Sequence, residues 1–286
     1  MTLTRARQFT QLDVFTATPL LGNPLAVVHD ADGLDDAQMA AFARWTNLSE
    51  TTFLLPPSAD AAAQGADYRV RIFTPAAELP FAGHPTLGSC QAWLQAGGQA
   101  RQADLVVQEC GVGLVRVRRD GARLAFAAPP LRRSGPVDDP GLRAQVLAAL
   151  RVPESALLQL QWVDNGPGWL AALLSDAAAV RAVKPDLAAM GALKLGVVGR
   201  EVAGHECEWE VRAFVPAVGA GEDPVTGSLN AGLAQWLIGA GLASPRYVAA
   251  QGSVLGRAGR VFVSQVGDDI WVGGDVCTVV SGSVSI

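Results

Sequence analysis

No apolar run in this sequence approaches the roughly 18 residues that span a bilayer, because Gly, Pro, Asp and Gln break each stretch. A membrane partner is therefore not expected. There is no block of like charge either: 22 basic residues face 27 acidic ones for a formal net charge of −5, which lacks the electrostatic footprint of a nucleic-acid binder. Cysteine is scarce, with four residues at 90, 110, 207 and 277 and no CxxC pair, and the three histidines at 29, 84 and 205 are scattered. His205 and Cys207 are neighbours, but the other two ligands of a zinc site are not evident, so no metal is expected. Arg5 and Arg7 are not followed by an apolar segment, unlike a signal peptide. The reading is a cytoplasmic protein whose thiols are reduced and buried.

Half the residues are apolar and 17% are charged, a composition that buries a substantial core. At 286 residues, two domains are expected, since single cores rarely grow far beyond about 250. Segments with strand character recur at Gln8 to Phe15, Ala26 to His29, Thr51 to Leu55, Tyr68 to Phe73, Leu105 to Glu109, Gly113 to Arg118 and Arg123 to Ala127. The second half repeats the style at Leu158 to Val163, Trp169 to Leu174, Glu206 to Phe214, Arg260 to Gln265 and Asp269 to Val272. Many adjoin without an intervening helix, so the sheets should be largely antiparallel. Helices are expected at Asp35 to Trp45, Leu142 to Leu150 and Asp186 to Met190. Prolines and glycines crowd the stretch between Phe126 and Gly141, which marks a domain boundary.

The chain also resembles itself. Val70-Arg71-Ile72-Phe73-Thr74-Pro75 matches Val211-Arg212-Ala213-Phe214-Val215-Pro216, and His84-Pro85-Thr86-Leu87-Gly88-Ser89 matches Asp223-Pro224-Val225-Thr226-Gly227-Ser228. Gly22-Asn23-Pro24 has a weaker echo in Asn165-Gly166-Pro167. Each half reads as strand, polar loop, and a helix apolar on all sides, which is the pattern of a central helix wrapped by strands.

On this alignment His84 and Asp223 occupy matched N-cap slots, one per half. Aspartate is an ordinary cap; histidine is not a favoured one, and a titratable group at a helix start suits a chemical role. Gly88-Ser89 and Gly227-Ser228 fall in the first turns, where backbone donors and the helix dipole favour an anion. A small carboxylated substrate fits. Alternatively the glycines only allow close packing. Glu50, Ser49, Glu78 and Glu222 read by themselves as ordinary loop residues.

These residues carry a resemblance. The blocks Gly22 to Val28, Leu48-Ser49-Glu50-Thr51-Thr52-Phe53, Arg71 to Pro75, Glu78 to Gly88 with its Gly83-His84-Pro85-Thr86, and Glu222-Asp223-Pro224-Val225-Thr226-Gly227-Ser228 resemble the phenazine-biosynthesis isomerase family, PhzF-like proteins. The closing stretch Gly256-Arg257 through Val272-Gly273-Gly274 resembles it too. The resemblance implies an α+β, diaminopimelate epimerase-like fold: two pseudo-symmetric domains, each a mostly antiparallel barrel-like sheet around a central helix, with the active site in the cleft between them. The expected domains are 1–128 joined by 275–286, and 129–274. It further implies a cofactor-independent enzyme, commonly a homodimer.

Carried over by position, Glu50 matches the family's general acid/base, His84 and Asp223 match polar residues that face it, and Ser49, Gly83, Gly88, Gly227 and Ser228 fall among substrate-holding groups. An enclosed glutamate with its pKa raised toward neutrality accepts a proton and returns it elsewhere on the same face. Two positions depart from the resemblance: Leu229-Asn230 follows Thr-Gly-Ser where the family more often has Ala after Ser, and Cys90-Gln91 follows Gly-Ser where a small apolar pair is common. Cys90 lies inside its helix, which disfavours a two-thiol racemase. The implied activity is a proton shift like that of 2,3-dihydro-3-hydroxyanthranilate isomerase. The alternatives are an amino- or hydroxy-acid epimerase using Glu50 and Asp223, and a non-catalytic protein that binds a small acid.

Overall fold

Along β1 (Ala6–Val14) Thr10, Leu12 and Val14 lie on one buried face, following the two-residue period of a strand, and Asp13 between the last two is buried as well. In the computed structural model, which describes residues 5–216 and 221–286, the chain up to Ala127 together with Gly273–Ile286 forms one compact unit, and Ala128–Val272 forms another.

In the first unit β1 pairs antiparallel with β2 (Asn23–Val28) and, along its other side, with the strand Val276–Ser285. Helix α1 (Asp36–Thr46) then crosses to β3 (Glu50–Leu55), which runs parallel to β2. Asp35 opens α1 with a capping box through Gln38, and Asn47 closes it in the left-handed region, a conformation asparagine tolerates better than most residues. After α2 (Ala59–Ala63) come β4 (Tyr68–Phe73), antiparallel to β3, and the two-residue β5 (Glu78–Leu79). Helix α3 (Gly83–Gln95) follows, then β6 (Leu105–Cys110), parallel to β4, and the antiparallel β7 (Gly113–Asp120) and β8 (Arg123–Ala127). Helix α3 packs against β1, β2, β3, β6, β7, β8 and Val276–Ser285. A sheet reaches one helix from so many strands only by curling around it. Outside, α1 lies on β3 and β4 over Phe42, Phe53 and Phe73.

The second unit repeats the plan. β9 (Arg133–Pro136) and α4 (Pro140–Leu150) lead to β10 (Leu157–Asp164) and β11 (Trp169–Leu174); helices α5 (Ala177–Ala182) and α6 (Leu187–Met190) cross to β12 (Lys194–Arg200). Then come β13 (Trp209–Phe214), the two-residue β14 (Glu222–Asp223), α7 (Gly227–Gly239), β15 (Arg246–Gln251), β16 (Gly259–Val266), β17 (Asp269–Gly274) and the C-terminal β18 (Val276–Ser285) introduced above. β11–β12 and β13–β15 are parallel, as β2–β3 and β4–β6 are in the first unit. Among the described strand pairs the antiparallel expectation thus holds apart from these four crossings, each bridged by a helix. The fold is α+β, and no described helix is long and apolar enough to cross a membrane.

The two central helices have 13 residues each, nine of them buried in each case, which is why their sequences show no polar face. Their geometry corrects the sequence alignment of the repeat. Gly83 matches Gly227 as first helical residue, so His84 matches Ser228 rather than Asp223. The two-residue strands then align Glu78 with Glu222, and each glutamate makes the same forked ion pair, Arg71 to Glu78 at 2.8 and 2.7 Å and Arg212 to Glu222 at 2.9 and 2.8 Å. Glu222 is largely buried in its pair, whereas Glu78 stays solvent-exposed, with 42% of its side chain accessible. The longer connection between β13 and β14 defeats a fixed offset. Cys90, Cys110 and Cys207 are buried and Cys277 is partly exposed, all of them free thiols. The His205–Cys207 neighbourhood is a turn in which His205 Nδ1 accepts the Cys207 amide at 3.1 Å, and it delays the following strand to Trp209.

Candidate active site

Glu50 is the first residue of β3, set there by the turn that ends α1. Thr46 and Thr51 share a hydroxyl hydrogen bond of 2.7 Å that ties the helix end to the strand. In register, Glu50 lies beside Leu25 of β2, and Asn23 opens that strand. From the central helix comes His84. Its Nε2 lies 3.4 Å from Glu50 Oε2, with side-chain exposures of 4% and 14%. Its Nδ1 is 3.2 Å from Asn23 Nδ2, and Asn23 Oδ1 accepts from Ser49 Oγ at 3.3 Å. The structure therefore brings Ser49, Glu50, Gly83 and His84 together in the first unit and adds Asn23.

Neither His84 nor Asp223 is an N-cap. Ala82 precedes the first turn of α3, with His84 already its second helical residue, and Thr226 holds the same place before α7. Asp223 sits in β14 and accepts a hydrogen bond from the Thr226 hydroxyl. Gly88 is the sixth residue of α3 rather than a first-turn donor. A Cβ there would lie 2.5 Å from Leu25 Cδ2 and 3.0 Å from Val14 Cγ2, so its role is to let the helix close on β1 and β2. Gly83 and Gly227, by contrast, open their helices, where amides lack intrahelical acceptors and suit an anion.

The helix starts are held by a pair of residues that the sequence reading missed. Gln108, buried in β6, takes a hydrogen bond from Tyr68 and gives one to Thr86 Oγ1. Gln251, buried in β15, accepts from the Thr226 amide and from Asn230, and donates to the Asp223 carbonyl and Thr226 Oγ1. The available signal was a glutamine at a core-facing position of a largely apolar strand, where a buried polar group needs partners. Asn230, a departure from the family pattern, is thus part of this clamp.

Burial lowers the pKa of His84 from 6.5 to about 3, so the imidazole is neutral. Because Asn23 Nδ2 can only donate, Nδ1 is the acceptor and the proton sits on Nε2, facing the Glu50 carboxylate. The shift has a stability consequence. Between pH 6.5 and 3 the unfolded chain binds a proton that the folded one refuses, so this contribution is complete above 6.5 and lost on acidification. Going from pH 7.5 to 5, wild type should lose about 2 kcal/mol more than His84→Gln, from ~1.36 kcal/mol per pKa unit. Urea midpoints of both proteins at the two pH values check this, and parallel losses would exclude it. The first unit also holds a cavity of about 410 Å³ against Leu55, Trp93 and Gly97. It lies at the opposite ends of β3 and α3 from Glu50 and His84 and does not belong to this site.

The model of a family described as phenazine biosynthesis-like protein matches residues 12–282. The chain belongs to that family. Its relatives include antisense-enhancing sequence 1 of Schizosaccharomyces pombe, 34% identical over 96% of this chain and 97% of the relative. Another is trans-2,3-dihydro-3-hydroxyanthranilate isomerase of Pseudomonas aeruginosa, 37% identical over 79% of this chain and 78% of the relative. Among solved structures, a predicted epimerase from Pseudomonas aeruginosa superposes with a TM-score of 0.77 at 29% identity, covering 97% of this chain and 99% of that one. The chain is accordingly an isomerase of this family, with the diaminopimelate epimerase-like fold.

Proposed function

We propose that this isomerase moves a proton between two carbons of a small carboxylated ring substrate, with Glu50 as the general acid/base and no cofactor. The observation that carries the reading is the buried, neutral His84 whose Nε2 lies 3.4 Å from Glu50 Oε2. A neutral imidazole donates a hydrogen bond without competing for the proton, so within this pair only the carboxylate exchanges one. A single carboxylate accepts the proton from one carbon and returns it to another on the same face, and both steps pass through one enol-like intermediate. Hydrogen-bond donors stabilise the oxygen on which charge develops.

The reading includes Ser49 and Gly83 as substrate-holding groups beside Glu50. Asp223, Gly227 and Ser228 enter as further substrate-holding groups, supported by their own unit's geometry and by the repeat, which places Ser228 where His84 stands. The proposal includes a cytoplasmic homodimer, taken from the sequence reading and the family resemblance. The substrate named by the Pseudomonas aeruginosa relative, trans-2,3-dihydro-3-hydroxyanthranilate, is the compound to try first. Its ultraviolet spectrum followed with purified protein in H₂O and D₂O is the test. Conversion with the proton delivered to a second carbon supports the assignment. Deuterium entering one carbon with inversion would show an epimerase instead, and an unchanged spectrum would remove this substrate.

A further inference from the structure

At the far end of the first unit from Glu50, the last turn of α3 and the ends of β2, β3 and β4 border the cavity of about 410 Å³, a size within the roughly 300–1,000 Å³ of small-molecule pockets. Its walls carry three carboxylates, Asp30, Asp32 and Asp67, and no lysine or arginine among the described residues. Asp67 is fixed, since its two oxygens accept from the Arg101 and Val107 amides at 2.9 and 2.8 Å. The Asp30 side chain makes no hydrogen bond or ion pair among the described residues, the Arg7 guanidinium being directed to its backbone carbonyl. Asp32 meets Arg5 at 3.6 Å, but both side chains are more than half exposed, and such pairs are weak. The helix adds the same sign. α3 ends here with no basic residue in its last turn, so the partial negative charge of its C-terminal carbonyls is uncompensated.

His29 points to a ligand independently. Its ring is only 4% exposed and lines the cavity. Nε2 lies 3.0 Å from Thr10 Oγ1, while Nδ1 has no hydrogen-bond partner and is not among the sealed polar atoms, so it opens on the cavity. Burial lowers the pKa of His29, with Asp30 opposing the shift, so the ring brings a hydrogen-bonding nitrogen rather than a charge. Trp93 and Tyr68 supply the apolar wall, their rings stacked at 5.2 Å with 19° between planes. A Cβ at Gly98 would lie 2.3 Å from the indole of Trp93, so this glycine lets the chain close on the ring and hold it.

We infer that this cavity is a binding site for a small primary amine in its ammonium form, its charged head among Asp30, Asp32 and Asp67 and its flat or apolar body against Trp93 and Tyr68. Dispersed carboxylates and a helix C-terminus attract a cation, and aromatic rings favour one with an organic body. A bare metal ion is the poorer occupant, because no three His, Cys, Asp or Glu side chains among the described residues come close enough to hold one. An anion would be repelled by every charge on the wall. A primary ammonium presents several N–H donors, enough to engage a carboxylate and, when Nε2 carries the ring proton toward Thr10, His29 Nδ1 as well. The inference does not depend on the isomerase reading, since Glu50 and His84 stand at the other ends of β3 and α3.

The experiment titrates full-length ¹⁵N-labelled protein at pH 7 with benzylamine, there an ammonium ion, and follows the Trp93 indole N–H, assigned by its loss in Trp93→Phe. A saturable shift with a Kd of about 1 mM or below is expected, the range open to a ligand of about eight heavy atoms. Benzyl alcohol, the same shape without the charge, should bind at least about 10-fold more weakly, and benzoate should not bind. Asp30→Asn combined with Asp32→Asn should weaken benzylamine about 10-fold and benzyl alcohol less than about 2-fold. Both positions are exposed, and asparagine tolerates the φ of 49° found at Asp30, so the double variant should keep its fold. Glu50→Gln, distant from the cavity, should leave the affinity within about 2-fold. No saturable shift, equal affinity for benzyl alcohol, or indifference to the double variant overturns the inference. A benzylamine response lost in Glu50→Gln would place the amine at the acid/base, and one reproduced by Mg²⁺ or Ca²⁺ alone would make this a metal site; either result overturns it too.

Discussion

Glu50→Gln should lower kcat for the proton shift by about 10³-fold, within the 10²–10⁴ that a positioned acid/base contributes. The substitution is close to isosteric. Glutamine keeps the size of the side chain that lies 3.4 Å from His84 Nε2 and removes a buried carboxylate charge, so stability should change by less than about 1 kcal/mol. KM should stay within about 3-fold, because the lost interaction is with the proton in flight rather than with the bound substrate. Steady-state rates beside a urea titration separate the two effects. Retention of more than a tenth of wild-type turnover would rule out Glu50 as the mobile base. A collapse of stability together with activity would make it a structural residue.

A large effect on stability is expected at Gly232. A Cβ there would lie 2.2 Å from the backbone carbonyl oxygen of Val163 in β10, which cannot swing aside as a side chain can. At Gly88, its counterpart in α3, the nearest atoms are the ends of the Leu25 and Val14 side chains. Alanine gains roughly 0.5–1 kcal/mol of helix propensity at either position. Overpacking costs about 1–3 kcal/mol where side chains yield, and more where the backbone must move. Gly232→Ala should therefore cost about 3 kcal/mol net and Gly88→Ala about 1 kcal/mol or less. The urea midpoints of the two variants test this ordering; equal or reversed costs would mean that α7 shifts freely along β10.

Much of the strand pattern was readable beforehand because short-range patterning makes strands. Tyr68–Phe73 lies where apolar alternation puts it, and Arg123–Ala127 and Trp169–Leu174 lie where short apolar runs bounded by turn residues put them. β12 was not readable. Its Gly196 and Gly199 look like breakers, yet a Cβ at the first would lie 2.4 Å from Leu229 of α7 and at the second 2.3 Å from the Asp176 carbonyl. They mark close approach by elements distant in sequence, and no local rule distinguishes that from a turn. α5 was missed as well. Its six residues are stabilised by packing on β12 and β13 and by the Asp176 cap.

By itself the sequence determined the fold class, the repeat, the family and the set of candidate residues, because composition, periodicity and motif order are properties of the chain. The tertiary structure decided which of those residues meet. It set Asn23 against His84 and brought Glu50 to His84, since parallel register and a central helix are long-range arrangements. It moved Asp223 and His84 out of their cap positions and took Gly88 from the site into the packing. It also decided the direction of each hydrogen bond, and with it which groups donate and which exchange a proton, because burial and neighbouring donors fix polarity only once the chain is folded.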